Sequence, residues 1–295
     1  MNWANAVLHG ILLGGLYALL ATGLSLMFGV MRIINLAHGS LALLGAYMAF
    51  LLVEHAHMST YLALLPVLPG ALVVGYVLQR TLLERSLRAG ELVPLLTTFG
   101  LLIVIANLLE YAFSPDVHSL PSGRIGGASW RISSHFTLPW FDALILCIAV
   151  VVLGGLQLLL RRTQIGRELR ATAADPDTAE LLGVDARRVY AYATALAVAT
   201  AALAGVFYAM RSAFDPFTGP TQLIYAFEAV VIGGLGSLWG TLLGGIVLGV
   251  AQTVSAQIDV QYFALGGHLV FLAVLIVRTA LQAGGLRVLP RGASA

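Results

Sequence analysis

Apolar residues in this sequence fall in long, nearly unbroken runs. The runs 5–29, 34–53, 61–79, 92–113, 140–160, 189–210, 225–250 and 261–282 reach membrane-spanning length or come within a few residues of it. A hydrocarbon core of about 30 Å takes about 20 apolar residues in a helix. None of the runs alternates apolar and polar positions as a lipid-facing strand must. Because the bilayer core offers no water to exposed peptide groups, such runs have to be helical. The pattern predicts an all-α, polytopic integral membrane protein of about eight transmembrane or re-entrant helices, in a single domain over residues 1–295.

Composition sharpens this. Of the 295 residues 59% are apolar and only 10% charged, against roughly 25% charged in a soluble domain, and the mean hydropathy is +0.91. A soluble globule, a disordered chain and a disulfide scaffold are all excluded; the lone cysteine, Cys147, lies inside an apolar run. All sixteen basic residues are arginines, dispersed between the runs, so the net charge of +2 marks no nucleic-acid surface. A phosphate-binding loop of the Walker A type needs a lysine, and the chain has none, so any ATP used with it is bound by another polypeptide. Residues 1–31 carry no charged side chain, and their apolar stretch is longer than a signal-peptide core, so they read as a first membrane helix.

Arginine placement gives an orientation. Arg80, Arg85 and Arg88 follow the third run, while Arg161, Arg162, Arg167, Arg170, Arg187 and Arg188 occupy the segment after the fifth. The positive-inside rule puts both groups on the cytoplasmic side. The N-terminus and residues 114–139, with only Arg124 and Arg131, are then outside. Arg278, Arg287 and Arg291 draw the C-terminus inside, yet eight full crossings from an outside start finish outside. The parity is mended if one run is re-entrant, and the glycine-rich stretch 225–250 is the candidate.

Two runs carry ridges of small residues four apart: Ala193, Ala197, Ala201, Gly205 and Ala209, and then Gly236, Gly240 and Gly244 with Gly245 and Gly249 beside them. Small side chains let helices approach closely in lipid. Such ridges serve either packing within the chain or contact with a second subunit or a moving gate.

The polar stretch 161–188 holds six arginines and five acids, far more than a passive connector needs. Ile165, Leu169 and Thr172 recur at helical spacing. Asp175-Pro176 then offers an N-cap and a first helical residue. Residues 176–182 make about two turns with Ala179 and Leu182 on one side, and Gly183 is placed to end them in a left-handed conformation. A helix this short is not stable alone. It leans on the protein's own membrane face or on a cytoplasmic partner, unless the stretch is simply a solvated loop.

The run Gly166-Arg-Glu-Leu-Arg170-Ala-Thr-Ala-Ala-Asp175-Pro176-Asp-Thr-Ala179-Glu-Leu-Leu182-Gly183-Val-Asp resembles the coupling segment of branched-chain amino acid ABC transporter permeases of the LivH type. Ile33-Ile34-Asn35-Leu36-Ala37-His38-Gly39 is similar to that family's second-helix signature. Val230-Val231-Ile232-Gly233-Gly234-Leu235-Gly236-Ser237, followed by Gly240 and Gly244-Gly245, is similar to its late glycine motif. The three occur in the family's order. The resemblance implies a permease subunit in a bacterial inner membrane, paired with a related second permease (a heterodimer), two ATP-binding subunits and a periplasmic substrate-binding protein. It implies that 166–185 presses on an ATPase, that the chain holds no cofactor, and that the substrate is a branched-chain or other hydrophobic amino acid; related systems carry urea, short amides or aromatic acids.

The sequence departs from that pattern in two places. Arg278-Thr279-Ala280-Leu281-Gln282 replaces the proline-glycine motif that often follows the last helix. Glu228 stands where a neutral residue is expected; an acid inside a membrane run is a functional candidate, but its place near the start of its run reads as interfacial. Asn35 and His38 either line the pathway or fix a break before the second helix, and Asn107 and Glu110 carry the same ambiguity. Glu54, His55 and His57 form a small outward polar loop, and His55-x-His57 lacks a third metal ligand. The usual enzyme motifs are missing, and the spacing of Gly234, Gly236 and Gly240 inside a membrane run does not fit a dinucleotide loop. The alternative to an ATP-driven importer is an ion-coupled secondary transporter or channel acting alone, for which Glu228 with Glu110 is the only relay on offer.

Overall fold

The structure is a computed structural model and describes residues 3–90, 92–133 and 136–285. Helix α1 (Trp3–Met31) ends at Arg32, whose φ of 55° turns the chain sharply. Residues 32–37 lead back along α1 without helical structure, and α2 (His38–His55) begins beside Leu20, in the middle of α1. Then α3 (Thr60–Leu78), a π-helical turn (Gln79–Leu83) and α4 (Glu84–Arg88) form one continuous span, and α5 (Val93–Phe113) returns. The following loop contains α6 (Gly123–Gly126) and an antiparallel hairpin of β1 (Ser129–Ser133) and β2 (Phe136–Pro139). Trp130 and Trp140 stack at its base, with ring centroids 5.8 Å apart; such amphipathic rings favour a membrane–water boundary.

Helix α7 (Trp140–Arg162) leads to the arginine-rich side, where α8 (Gln164–Ala174) and α9 (Pro176–Leu181) form an elbow. From there α10 (Ala186–Arg211) crosses back. After an irregular stretch, 212–218, come α11 (Gly219–Gly233), α12 (Leu238–Ile258) and α13 (Tyr262–Gly285). Among the described residues seven helices are long and apolar enough to cross a membrane; α2 and α11 are not among them. Burial ranks the seven. The apolar window of α1 is 89% buried and that of α10 78%, against 22% for α3–α4 and for α7 and 11% for α13. The two central helices are thus wrapped by the others, and the wrapping helices face outward with leucine and valine.

The central pair can be central because its surface is smooth. A Cβ on Gly205 would collide with Ala42, and one on Gly23 with Ala197. Gly14 lies against Ile246, and Gly245 and Gly249 lie against Ala18 and Gly10. Both small-residue ridges therefore pack within this chain, since Gly240 meets Gly233 and Gly244 meets Ala229. In lipid this contact supplies the dispersion energy that water exclusion supplies in soluble cores.

These contacts correct the topology read from the runs. The stretch 225–250 is neither one span nor a single re-entrant element. It is two antiparallel helices joined by a turn at Gly234–Ser237, where Gly234 has φ +101° and Gly236 approaches Gly29 near the end of α1. Helix α12 then runs antiparallel to α1, and α13 returns alongside α12 through Gly266 and Gly267. Arg278 accordingly reaches Ile232 O, beside the turn at Gly234–Ser237 and near the end of α1, and the parity conflict disappears. The structure carries α13 straight through 278–282. Arg287 and Arg291 lie outside the described residues, as do the side chains of Arg124 and Arg131.

Two halves of the chain repeat one another with opposite sense. In each, a central helix (α1, α10) is followed by a non-helical stretch, a helix starting at mid-depth (α2, α11) and two spans (α3–α4 and α5; α12 and α13). The contacts obey the exchange: α1 packs on α12 as α10 packs on α3, and α2 packs on α10 as α11 packs on α1. Helices α1 and α10 pack on each other, as do α2 and α11. Helices α7–α9 join the halves.

Candidate functional site

The two half-helices meet head to head. A Cβ on Gly39 would collide with Gly219 O, and one on Gly219 with Ser40. The same device leads into each. Asn35 Oδ1 accepts from Ala37 N at 2.9 Å before α2, and Asp215 Oδ1 accepts from Phe217 N at 2.8 Å before α11. Short amide and carboxylate side chains make this local turn because they reach their own backbone two residues on. Thr98 Oγ1 of α5 accepts from Leu36 N, and His38 Nε2 donates to Leu20 O at 2.8 Å.

Around the meeting point, polar atoms are buried without partners: Ser40 Oγ, His38 Nδ1 and Gln222 Oε1. His38 and Ser40 are fully buried. Helix starts carry positive partial charge and unsatisfied N–H groups, so the crossing combines two such ends with three orphaned polar atoms inside the bundle. Asn35, His38 and Gly39 lie at this crossing. Its second half, Asp215, Thr218, Gly219 and Gln222, escapes the sequence pattern. A signal existed: Met31-Arg32 precedes Gly39 as Met210-Arg211 precedes Gly219.

Glu228 is not interfacial. It lies ten residues into α11, is 3% exposed, and its Oε1 shares a short hydrogen bond with His268 Nδ1 of α13. The interfacial reading fails because α11 starts at Gly219, not at the start of the apolar run. Tyr225 stacks on His268 and packs on Tyr17, whose hydroxyl donates to Gln252 Oε1. Gly233, Gly234 and Gly236 form the turn after α11 and take no part in the crossing. Ala197 and Ala201 are fully buried on α10. Asn107 bonds its own helix at Ile103 O. Glu110 sits on α5, and the carboxylate of Glu228 is engaged by His268 of α13.

On the arginine-rich side, α8 packs by Gly166, against the last turn of α7, and by Leu169 and Thr172, both fully buried. Ile165 instead points outward. Asp175 caps α9 by accepting from Asp177 N and Thr178 N, and Pro176 opens the helix. The Thr178 hydroxyl and those backbone N–H groups hold the Asp175 carboxyl below the usual carboxylate range. Gly183, at φ +86°, ends α9, and Ala179 is buried and accepts from Val184 N. Leu182 does not share its side with Ala179: Leu181 and Leu182 are 88% and 79% exposed. Behind them Glu84 gathers Arg80, Arg88 and Arg187, tying α4 to the start of α10. Arg170, grouped with this elbow by sequence, instead lines a cavity between α8 and the ends of α1 and α7.

A family model described as "Branched-chain amino acid transport system / permease component" matches residues 6–279. The chain is 30% identical over 269 residues to the high-affinity branched-chain amino acid transport system permease protein BraD of Pseudomonas aeruginosa, covering 87% of each chain. It is 29% identical over 294 residues to the LivH permease protein of the same description from Escherichia coli K12, covering 94% of each. It is also 26% identical over 284 residues to E. coli LivM, covering 88% of this chain and 66% of LivM. No solved structure matches.

Proposed function

The chain belongs to the branched-chain amino acid transport system permease family, and from that premise we propose that it is one permease subunit of an ATP-driven importer for branched-chain or similar hydrophobic amino acids. It works in a bacterial inner membrane beside a homologous second permease, two ATP-binding subunits and a periplasmic substrate-binding protein. The observation that carries the coupling role is the pair Leu181 and Leu182: two leucines held out into water by a helix that is capped at both ends. Exposed apolar residues on a rigid elbow are what a partner's groove takes.

With no lysine in the chain, the nucleotide is held by the partner subunits. Their closure pushes α9. The push passes through Gly166, Leu169 and Thr172 to the ends of α7, α1 and α10. The half-helices then re-tilt about the Gly39–Gly219 contact, opening the path to one side or the other. A zwitterion in that path meets the two helix starts with its carboxylate and the orphaned oxygens of Ser40 and Gln222 with its ammonium group. No fixed counter-ion is needed, and the binding protein supplies most of the selectivity.

The test is reconstituted uptake with the partner subunits present. Leu181→Asp combined with Leu182→Asp should lower uptake at least tenfold while membrane insertion and thermal stability stay unchanged, because both side chains are solvent-facing in the isolated chain. Full uptake by that variant removes the coupling role. Transport that proceeds without ATP removes the importer reading itself.

A further inference from the structure

Between the arginine-side ends of α1 and α7, the body of α8 and the turn at Gly236 lies a cavity of about 370 Å³. Its polar lining is Ser25, Gln157, Arg161 and Arg170, and Gly29 and Gly236 leave it room. No acid lines it. Among the described residues Arg80, Arg88, Arg187, Arg188 and Arg211 each pair with a carboxylate, whereas Arg161 and Arg170 pair with none. With its amide turned to suit, Gln157 accepts from Arg161 Nε at 2.7 Å and Nη2 at 3.2 Å, which holds that guanidinium at the cavity. Ser25, 1% exposed, has a buried hydroxyl without a partner and also faces this space.

Two unneutralised guanidiniums, a free hydroxyl and no acid make an anion site, and the guanidinium fork suits phosphate oxygens. The depth of the cavity decides the source. It opens where the apolar span of α7 gives way to Arg161-Arg162, and its inner wall is Leu26, Leu160 and Leu238. A soluble anion has no use for that wall, while the glycerol and acyl carbons of a lipid do. We propose that this cavity binds the phosphate headgroup of an anionic phospholipid from the arginine-side leaflet, so that the lipid bridges α8 to the ends of α1 and α7. Basic pockets between membrane helices on this side are suited to such headgroups.

The inference is independent of the transport reading, because its readout is lipid retention by the chain itself. The full-length protein, purified in neutral detergent, is titrated with phosphatidylglycerol, phosphatidylcholine and inorganic phosphate in separate arms, and bound species are counted by native mass spectrometry. Phosphatidylglycerol should be retained and the other two should not. Replacing Arg161→Gln and Arg170→Gln together should weaken retention roughly 25-fold, as each arginine near an anionic lipid contributes roughly fivefold. Arg85→Gln, which removes a positive charge away from the cavity, should leave it intact. Ala173→Leu, which fills the cavity without altering charge, should also abolish retention. Equal retention by the double variant, equal loss in Arg85→Gln, or binding of inorganic phosphate as tight as that of the lipid each overturns the proposal.

Discussion

The stretch 32–37 that leads into α2 and the stretch 212–218 that leads into α11 solve one problem with different chemistry. Both carry the chain from a membrane surface to mid-depth without helical structure, and both finish in a side-chain-capped turn. The first is tied down only by neutral groups. Asn35 is 1% exposed and His38 and Thr98 are fully buried, with Leu36 N donating to a hydroxyl oxygen and His38 Nε2 to a carbonyl oxygen. The second keeps a carboxylate, Asp215, only half-buried, while Phe217 stays 51% exposed and Arg211 pairs with Asp142 at its mouth. The inverted repeat is thus symmetric in backbone and asymmetric in wetness. An ionised side chain is tolerable where water reaches and prohibitive where it does not, so the first stretch is the dry one.

The backbone symmetry gives the largest expected effect. Gly39→Leu and Gly219→Leu should each cost at least about 3 kcal/mol, since overpacking has nowhere to go where backbone meets backbone. Thermal unfolding in detergent and the yield of folded protein measure it. Gly100→Leu, which has open space around it, should be silent. If either crossing glycine accepts leucine as readily as Gly100 does, the head-to-head contact is not what fixes the half-helices.

The difference in wetness gives the next effect, by exchanging the two residues that make the turns. Asn35→Asp keeps the acceptor for Ala37 N but places a carboxylate in the dry stretch, at a cost of several kcal/mol, on the order of 3 to 5. Asp215→Asn keeps the acceptor for Phe217 N where water already serves, and should change stability by less than about 0.5 kcal/mol. Midpoints of thermal unfolding at neutral pH compare them directly. Equal effects would mean that both stretches are equally hydrated and that the asymmetry is one of sequence alone.

Much of this is legible in the sequence alone, and the parts that are not have physical reasons. Helix α1 and the elbow can be read because their signals are local: an uncharged apolar run in the first, and Asp175-Pro176 with Gly183 bracketing a short helix in the second. The division of 225–250 cannot be read, since Gly234–Ser237 interrupts the helix without interrupting the hydropathy. Glu228 is misplaced for the same reason. A half-helix starts where its backbone turns, not where its apolar run starts, so depth cannot be counted from the run. His268 lies forty residues from Glu228 and no pattern links them. The second non-helical stretch is easily overlooked because Asp215-Pro216-Phe217-Thr218 shares no residue type with Asn35-Leu36-Ala37-His38; only the flanking Met-Arg and Gly survive in both.

The smallest effect tests those flanks, and its two halves have opposite signs. Arg32 follows α1 at φ 55°, a region that costs an L-residue about 1 kcal/mol, and its side chain makes no ion pair among the described residues. Glycine relieves that strain, at some cost in unfolded-state entropy, so Arg32→Gly should raise stability by up to about 0.5 kcal/mol. Arg211 closes α10 in helical geometry and pairs with Asp142 at 2.8 Å. Arg211→Gly should therefore lower stability by roughly 1 to 2 kcal/mol, combining helix propensity with a partly buried ion pair. The same substitution at two positions related by the repeat thus shifts the unfolding midpoint up in one case and down in the other. A shift of the same sign at both would show that the turn after α1 is not strained, and that the arginine there serves the fold as Arg211 does.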